Sequence, residues 1–486
     1  MQMKLCAAAI ALLTLGAAPA STIEGWWRAP LQHNGESSEF FLNFERKGDR
    51  LIARFSIPAI TADNSPLGTV SVDRDRVKIN EADWVLQRSA DGRSLTTTIP
   101  DALIPHYKIA ARFTRSPAPQ QPQPPKGERP APAPLWTASI GEPVIGGLEG
   151  DPSREIVFAA GKGGTVTALN ITTGKIQWSI NVGAPVRATP RVIGAALYVA
   201  SDAALHKLDA SSGSIQWSQS FGKPLHPILE IDDGKSRWDH YSASPVVAAG
   251  TVYAGSRDGC FYGFEARSGA QTLKVCAKDS ITATPVVSGE SAYFASFDNR
   301  LYAVRLPHGA IRWKADLAAP VTRDLALSKG AVIAGSRTYD LRAFDQRSGA
   351  IRWNRYIWFS WIDAAHALEG SQLFIGSSDA QRIFAMNSAT GRPLWSRFVG
   401  GWAWGKPAIA SGTVYAGMVG TSIDYVGRRE GGLAALDRRS GRIRWLFRPP
   451  HDPKGILSGF ASDPVIVGNR LITADLEGTV YAFRAN

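Results

Sequence analysis

The chain is written in short apolar strands broken by glycine turns, and seven times such a strand runs into the same phrase. The phrase is an Asp or Asn, two variable residues, Thr or Ser followed by Gly, and, after three further residues, a Trp. Full copies pass through Asn170, Gly174 and Trp178; Asp209, Gly213 and Trp217; Asp345, Gly349 and Trp353; Asn387, Gly391 and Trp395; and Asp437, Gly441 and Trp445. Two copies are degenerate: Glu265 and Gly269 precede Leu273 in place of the Trp, and Arg305 precedes His308-Gly309 and Trp313. Each copy predicts a hairpin. The Gly supplies the positive φ of a tight turn, and the Asp or Asn side chain accepts from the turn amides. The Trp falls on the outgoing strand, where a large flat ring can wedge between neighbouring units. Regular recurrence of such units predicts a β-propeller.

An eighth copy is split between the ends of the repeat region. Gly478 to Phe483 matches the strand before the turn, and no Trp follows it; the missing outer strand is found in Leu135-Trp136-Thr137-Ala138-Ser139. Pairing of these two segments would close the ring and remove its exposed edges. The expected fold class is therefore all-β: an eight-bladed β-propeller, residues 135–486, closed by an N-terminal strand. A small antiparallel β-domain precedes it at 22–115, where strand-like runs such as Glu39 to Phe44, Leu51 to Ile57 and Tyr107 to Phe113 are separated by Gly-Asp, Pro and Asp-Gly turns. Between the two, residues 116–134 are rich in Pro, Gln and Ala and predict an extended, semi-rigid spacer.

The A-x-D-x-x-T-G-x-x-x-W phrase resembles the repeat of quinoprotein-type (PQQ-repeat) propellers. That superfamily holds quinone-cofactor alcohol dehydrogenases and also non-enzymatic periplasmic relatives such as the propeller lipoprotein of the outer-membrane barrel-assembly machine. The dehydrogenase branch implies an adjacent Cys-Cys pair over the quinone, a Glu/Asn/Asp set around calcium, and long insertions between blades. This sequence has no adjacent cysteines, no C-x-x-C-H haem site and short blades. The resemblance therefore points to the non-enzymatic branch, with no cofactor expected and pyrroloquinoline quinone with calcium as the alternative. The start of the N-terminal unit, Gly25-Trp26-Trp27-Arg28-Ala29-Pro30-Leu31, is similar to short G-x-W-x-G-x-L modules ahead of some exported bacterial hydrolases, with Ala29 at the second Gly.

Residues 1–20 read as a signal peptide: Lys4, an apolar run from Ala7 to Ala18, and Ala18-Pro19-Ala20 before Ser21 as a cleavage site. Cys6 precedes the apolar run, so it is misplaced for a lipid anchor, and the expectation is a soluble, exported periplasmic protein. Removal of the signal leaves Cys260 and Cys276, which flank the Ser268-Gly269 turn almost symmetrically and would lie opposite each other across the hairpin. A disulfide is expected there in an oxidising compartment.

Of the 54 Lys and Arg against 42 Asp and Glu, the propeller holds 38 against 29, a surplus of 9. Many of these cations sit on the hairpins, among them Arg305, Arg312, Arg347, Arg352, Arg439 and Arg442. Such a field would attract an anionic envelope polymer or lipid surface; nucleic acid would be attracted too but is absent from that compartment. The long loops all emerge on the opposite face, which marks that face as the candidate binding surface. It offers Arg237, Trp238, Asp239, His240, Trp358, Trp361, Trp402, Trp404, Arg428 and Arg429, the residue types that dominate interface hot spots. Rings that fold back would plug the central channel. His226, His366, His451, Asp363 and Asp463 share the face, yet no spacing among them is diagnostic of catalysis, and no catalytic residue is assigned. The leading reading is a non-enzymatic scaffold that captures an envelope protein or outer-membrane assembly component. The alternatives are a quinone-dependent dehydrogenase and a small-ligand-binding propeller.

Overall fold

Alternation of apolar and polar positions in the first hundred residues closes a sheet on itself. In a computed structural model, described here for all residues except 1–21, 101–103, 105–106, 229–239, 422–428, 452–454, 456 and 486, eight antiparallel strands form a closed barrel. They are β1 (Gly25–His33), β2 (Glu36–Lys47), β3 (Arg50–Ile57), β4 (Ala62–Asp73), β5 (Arg76–Ile79), β6 (Trp84–Arg88), β7 (Ser94–Thr98) and β8 (Ala110–Arg115). Closure is made by β1 on β8, with Trp27 opposite Arg115. Along β1, Trp27, Ala29 and Leu31 face inward, while Arg28, Pro30 and Gln32 face solvent. The period of two thus puts one face of each strand in the core. The segment read as a signal peptide, with its expected cleavage site, lies outside the described residues.

The second body is the expected ring of eight sheets. In the last blade, strand β9 (Trp136–Ser139) pairs with Thr479–Arg484, Trp136 opposite Ala482 and Ser139 opposite Thr479. The chain's tail is therefore locked by a strand from just past the Pro-rich segment. The split eighth copy is what carried this.

Gly and Trp of the repeated phrase prove to be two halves of one contact. Wherever the preceding strand carries the Trp, the Gly sits on it: a Cβ on Gly213 would lie 2.6 Å from Trp178, and one on Gly391 2.6 Å from Trp353, while Gly309 sits on Leu273. The same glycines hold φ of +75° and +67°, so both backbone conformation and space forbid a side chain. The Trp Nε1 then donates across the blade boundary, from Trp178 to the Ala210 carbonyl at 3.2 Å and from Trp395 to that of Arg438 at 2.9 Å. At the third blade Leu273 replaces the Trp, and Cys260 and Cys276 are directly opposed and disulfide-bonded.

The Pro-rich segment forms no strand, but it is held at several points. Gln121 Nε2 donates to the Ala62 carbonyl at 3.1 Å, and further on Glu128 and Arg129 donate their amides to Ile443 and Arg444 of blade 7 at 2.9 and 3.1 Å. Spacer composition did not reveal the attachment to blade 7, because backbone amides make much of it. No helix among the described residues is long and apolar enough to cross a membrane.

Candidate interaction face

The face predicted from the long loops is where the chain folds onto itself. In the loop from blade 5 to blade 6, the Ile357 amide is tied to the Tyr339 carbonyl at 2.7 Å, which turns Trp358 and Phe359 toward the barrel. Both join the barrel's own apolar core, together with Tyr339 and Tyr356. Phe359 lies 6.2 Å from Phe40. His33 of β1 packs at 4.3 Å from Tyr107 and 4.6 Å from Tyr356, measured between ring centroids.

Polar contacts fix the same junction. The Tyr107 hydroxyl donates to Asp340 Oδ2 at 2.6 Å, and Arg342 and Thr338 donate to that same oxygen at 2.7 and 2.9 Å. Burial and the Asp340 carboxylate push the Tyr107 phenol up to about 12. Thr61, at the end of the β3–β4 connection, is 2.6 Å from the Gln381 carboxamide and accepts from Arg429 Nη1 at 3.3 Å. Glu36 meets Arg355 at 3.4 Å. The barrel is thus seated on the loops of blades 5 and 6, with an edge on blade 7.

Closer to the ring's axis, the mouth of the channel is filled. Trp402 and Trp404 stack at 4.9 Å and 15°. Trp402 Nε1 donates to Asp379 at 3.3 Å, and the Arg429 guanidinium lies 5.4 Å above the Trp402 ring. Tyr241 donates to the Ala461 carbonyl at 3.1 Å, and Arg323 lies 3.8 Å over its ring while pairing with Asp463. Arg337 pairs with Asp363 at 3.0 Å and covers Trp361 at 4.5 Å; Arg187 pairs with Asp202 at 3.0 Å. His240 sits among these guanidiniums, 5.0 Å from Trp404. Burial first, and the surrounding arginines second, hold its imidazole well below the ordinary range. His366, also buried, is pushed down to about 4 despite its bond to the Asp324 carbonyl at 2.8 Å.

The expected exposure of the aromatic face is therefore corrected. His240, Trp358, Trp402, Trp404 and Arg429 are all buried, and Trp361 is half-buried under Arg337. These buried loop residues have an internal partner: they pack on the barrel or close the channel mouth. Arg237, Trp238, Asp239 and Arg428 lie outside the described residues. His226 and His451 are at the surface, away from the buried His366, so the histidines do not gather into one site. On the hairpin face, much of the expected positive field is spent locally: Arg352 pairs with Asp345, Arg444 with Asp437 and Arg442 with Glu128.

Sequence reasoning missed the residues that organise the mouth, Arg187, Arg323 and Arg337, and those that seat the barrel, Thr61, Tyr107 and Asp340. One signal was available. Arg323 occupies the place in its interblade loop that Ala283 holds in the previous one, and a charge entering a loop that lines the axis calls for a counter-charge across it. As to a quinone and calcium, Asp363 and Asp463 each face a guanidinium, and the described residues contain no group of three or more His, Cys, Asp or Glu placed to hold a metal ion. Trp402, Trp404 and Tyr241 pack into one buried apolar cluster with Ile145, Val419 and Ala461, with no open cleft between the rings for a flat group. The described residues do not fit that group.

Comparison with known proteins agrees with the fold. None of the curated proteins matches the chain by sequence. Among solved structures, the computationally designed Ika8 protein superposes with a TM-score of 0.55 at 14% identity, over 71% of this chain and 97% of that one. A quinohemoprotein alcohol dehydrogenase from Comamonas testosteroni gives 0.55 at 11% identity, over 73% and 76%. BamB from Moraxella catarrhalis gives 0.48 at 17%, over 72% and 91%. The family described as outer membrane protein assembly factor BamB matches at 129–232, 227–358 and 337–486. With nearly three quarters of its length matched and eight closed blades carrying the repeat, the chain belongs to this PQQ-repeat propeller family.

Proposed function

We propose that this protein is a non-catalytic docking scaffold of the cell envelope, exported by its N-terminal signal and holding a protein of the outer-membrane assembly apparatus. Membership of the assembly-factor family supports the class of partner. The observation that carries the non-catalytic part is the filled channel mouth, where Asp363 and Asp463 are tied to arginines and Trp402, Trp404 and Tyr241 occupy the axis. Recognition then falls to the outer surfaces that the barrel and the blades make together. The dehydrogenase reading would need these side chains to vacate the axis and two buried ion pairs to break, which costs several kcal/mol for each pair broken.

The test is affinity capture of the tagged full-length protein from envelope fractions, run beside a titration of the purified protein with pyrroloquinoline quinone and calcium. The reading expects an outer-membrane assembly component in near-stoichiometric yield and no dye-linked oxidation of alcohols or sugars. A bound quinone chromophore with turnover would overturn it, as would the absence of any assembly component.

A further inference from the structure

The outer strands of the blades carry one position whose exposure varies sharply. The residue two before each Trp is Ile176, Ile215, Ile311 or Ile351 in four blades, each 43–54% exposed. In blade 7 the equivalent Ile443 is only 6% exposed. That is the strand along which residues 127–129 lie, giving the Glu128 and Arg129 amides to the Ile443 and Arg444 carbonyls. The fit is close enough that a Cβ on Gly127 would stand 2.7 Å from the Trp445 backbone. The protein therefore already adds an extended, Pro-punctuated segment to the outer edge of one of its own blades.

Blade 6 presents the same edge without an occupant among the described residues. In its outer strand, Pro393–Phe398, Pro393 stands where Ile443 does in blade 7 and is exposed, and the next residue, Leu394, is 49% exposed. Beside it runs a cleft of about 410 Å³, between the outer strands of blades 5 and 6 and roofed by Glu36, Ser37 and Ser38 of β2. Phe384, Met386 and Trp395 give it an apolar floor, and Arg355 and Arg382 line it.

Charge in the cleft is unbalanced. Glu36 answers Arg355, but Arg382 donates only to Ser396 Oγ at 3.3 Å and has no carboxylate at ion-pair distance among the described residues. Burial and the nearby Arg397 push its guanidinium below the usual range. An unanswered cation beside an apolar floor is what an anionic, partly apolar ligand would satisfy.

We propose that this cleft binds an extended acidic peptide segment of a partner protein, laid as an additional strand against Pro393–Phe398. An apolar side chain of the peptide rests between Phe384 and Leu394, and a carboxylate meets Arg382. Strand addition supplies affinity through the main chain and the cleft supplies selectivity. The inference stands on the cleft and on the blade 7 precedent. It does not require the partner to come from the assembly apparatus, and it survives failure of that reading.

Fluorescence anisotropy on the full-length protein at low salt tests it, with a labelled heptapeptide Leu-Ser-Asp-Ser-Leu-Ser-Asp, whose Leu and Asp share one face of a strand. Saturable binding is expected. It should weaken about fivefold or more with Arg382→Gln, with the Asp positions changed to Lys, and with a backbone N-methylated peptide, since each removes one charge-assisted or main-chain bond. Leu394→Glu should abolish it; the thermal melts of both variants establish that they are folded, and the two peptide changes need no variant at all. No binding, or binding indifferent to Asp→Lys or to N-methylation, overturns the proposal. Displacement by laurate of a peptide whose N-methylation has no effect would assign the cleft to acyl anions and overturn it as well.

Discussion

Tyr107→Phe isolates the contact that seats the barrel on the propeller. The substitution keeps the ring against His33 and Tyr356 and removes only the hydroxyl that donates to Asp340 at 2.6 Å. Asp340 is fully buried and retains Arg342 and Thr338, so its charge stays compensated and the loss is one hydrogen bond to a charged group. Such a bond contributes about 1.5–3 kcal/mol, and because Tyr107 is half exposed the lower half applies, about 1.5–2 kcal/mol. If the barrel lifts as a unit, that is about a 10- to 30-fold rise in the open population. Native-state amide exchange at pH 7 reads it directly. Protection of Ile357 and its neighbours should fall by that factor while blades 1 to 3 keep theirs. The wild type should also loosen at alkaline pH. The folded phenol titrates near 12 against about 10 when free; its contribution is complete below pH 10 and is lost as pH rises from 10 to 12. The difference between wild type and Tyr107→Phe in tryptophan fluorescence should show that step. Unchanged protection around Ile357, or a uniform loss over all blades, would refute the reasoning.

Three further outcomes follow from the packing. Gly213→Ala should destabilise the propeller by about 2–4 kcal/mol, from the left-handed backbone and a ring overlap with Trp178. Gly194→Ala, with φ of +58° and open space, should cost only about 1 kcal/mol after the gain from a stiffer unfolded chain; equal shifts in denaturation midpoint would contradict the Gly-on-Trp contact. His366 binds a proton near pH 6.5 in the unfolded chain but only near 4 when buried. Stability should therefore fall as pH drops from 6.5 to 4, by about 3 kcal/mol in the limit, and His366→Gln should flatten that slope in pH-dependent melts. Cys260→Ser with Cys276→Ser opens a loop of sequence separation 16 and should lose on the order of 3 kcal/mol, seen as a lower midpoint that reductant no longer changes.

The ring was legible because its information is local and repeated. Gly213 and Trp178 each announce a turn and a wedge within a dozen residues, and the split copy at Trp136 and Phe483 shows where the circle joins. The Cys260–Cys276 pair was legible for the same reason, since a hairpin's register is set by its turn. The candidate site was not. Trp358, Trp402 and Trp404 are loop residues by sequence, and only a partner distant in the chain decides whether a loop Trp faces water or a core. Phe40 lies over three hundred residues from Phe359, and Thr61 as far from Gln381 and Arg429. Residue type announced that these loops bind something; it did not say that the something is the same chain.

Seating of the barrel on blades 5 and 6 is the claim on which the buried face, the closed channel mouth and the roofed cleft all depend. A Glu36→Cys, Arg355→Cys variant treated with a short bifunctional thiol reagent measures it, because those side chains meet at 3.4 Å. Rapid, concentration-independent intramolecular cross-linking is expected, and none when Glu36→Cys is combined with Ile176→Cys on the opposite blade. Cross-linking that is equal for the two pairs, or absent from both, would contradict the account.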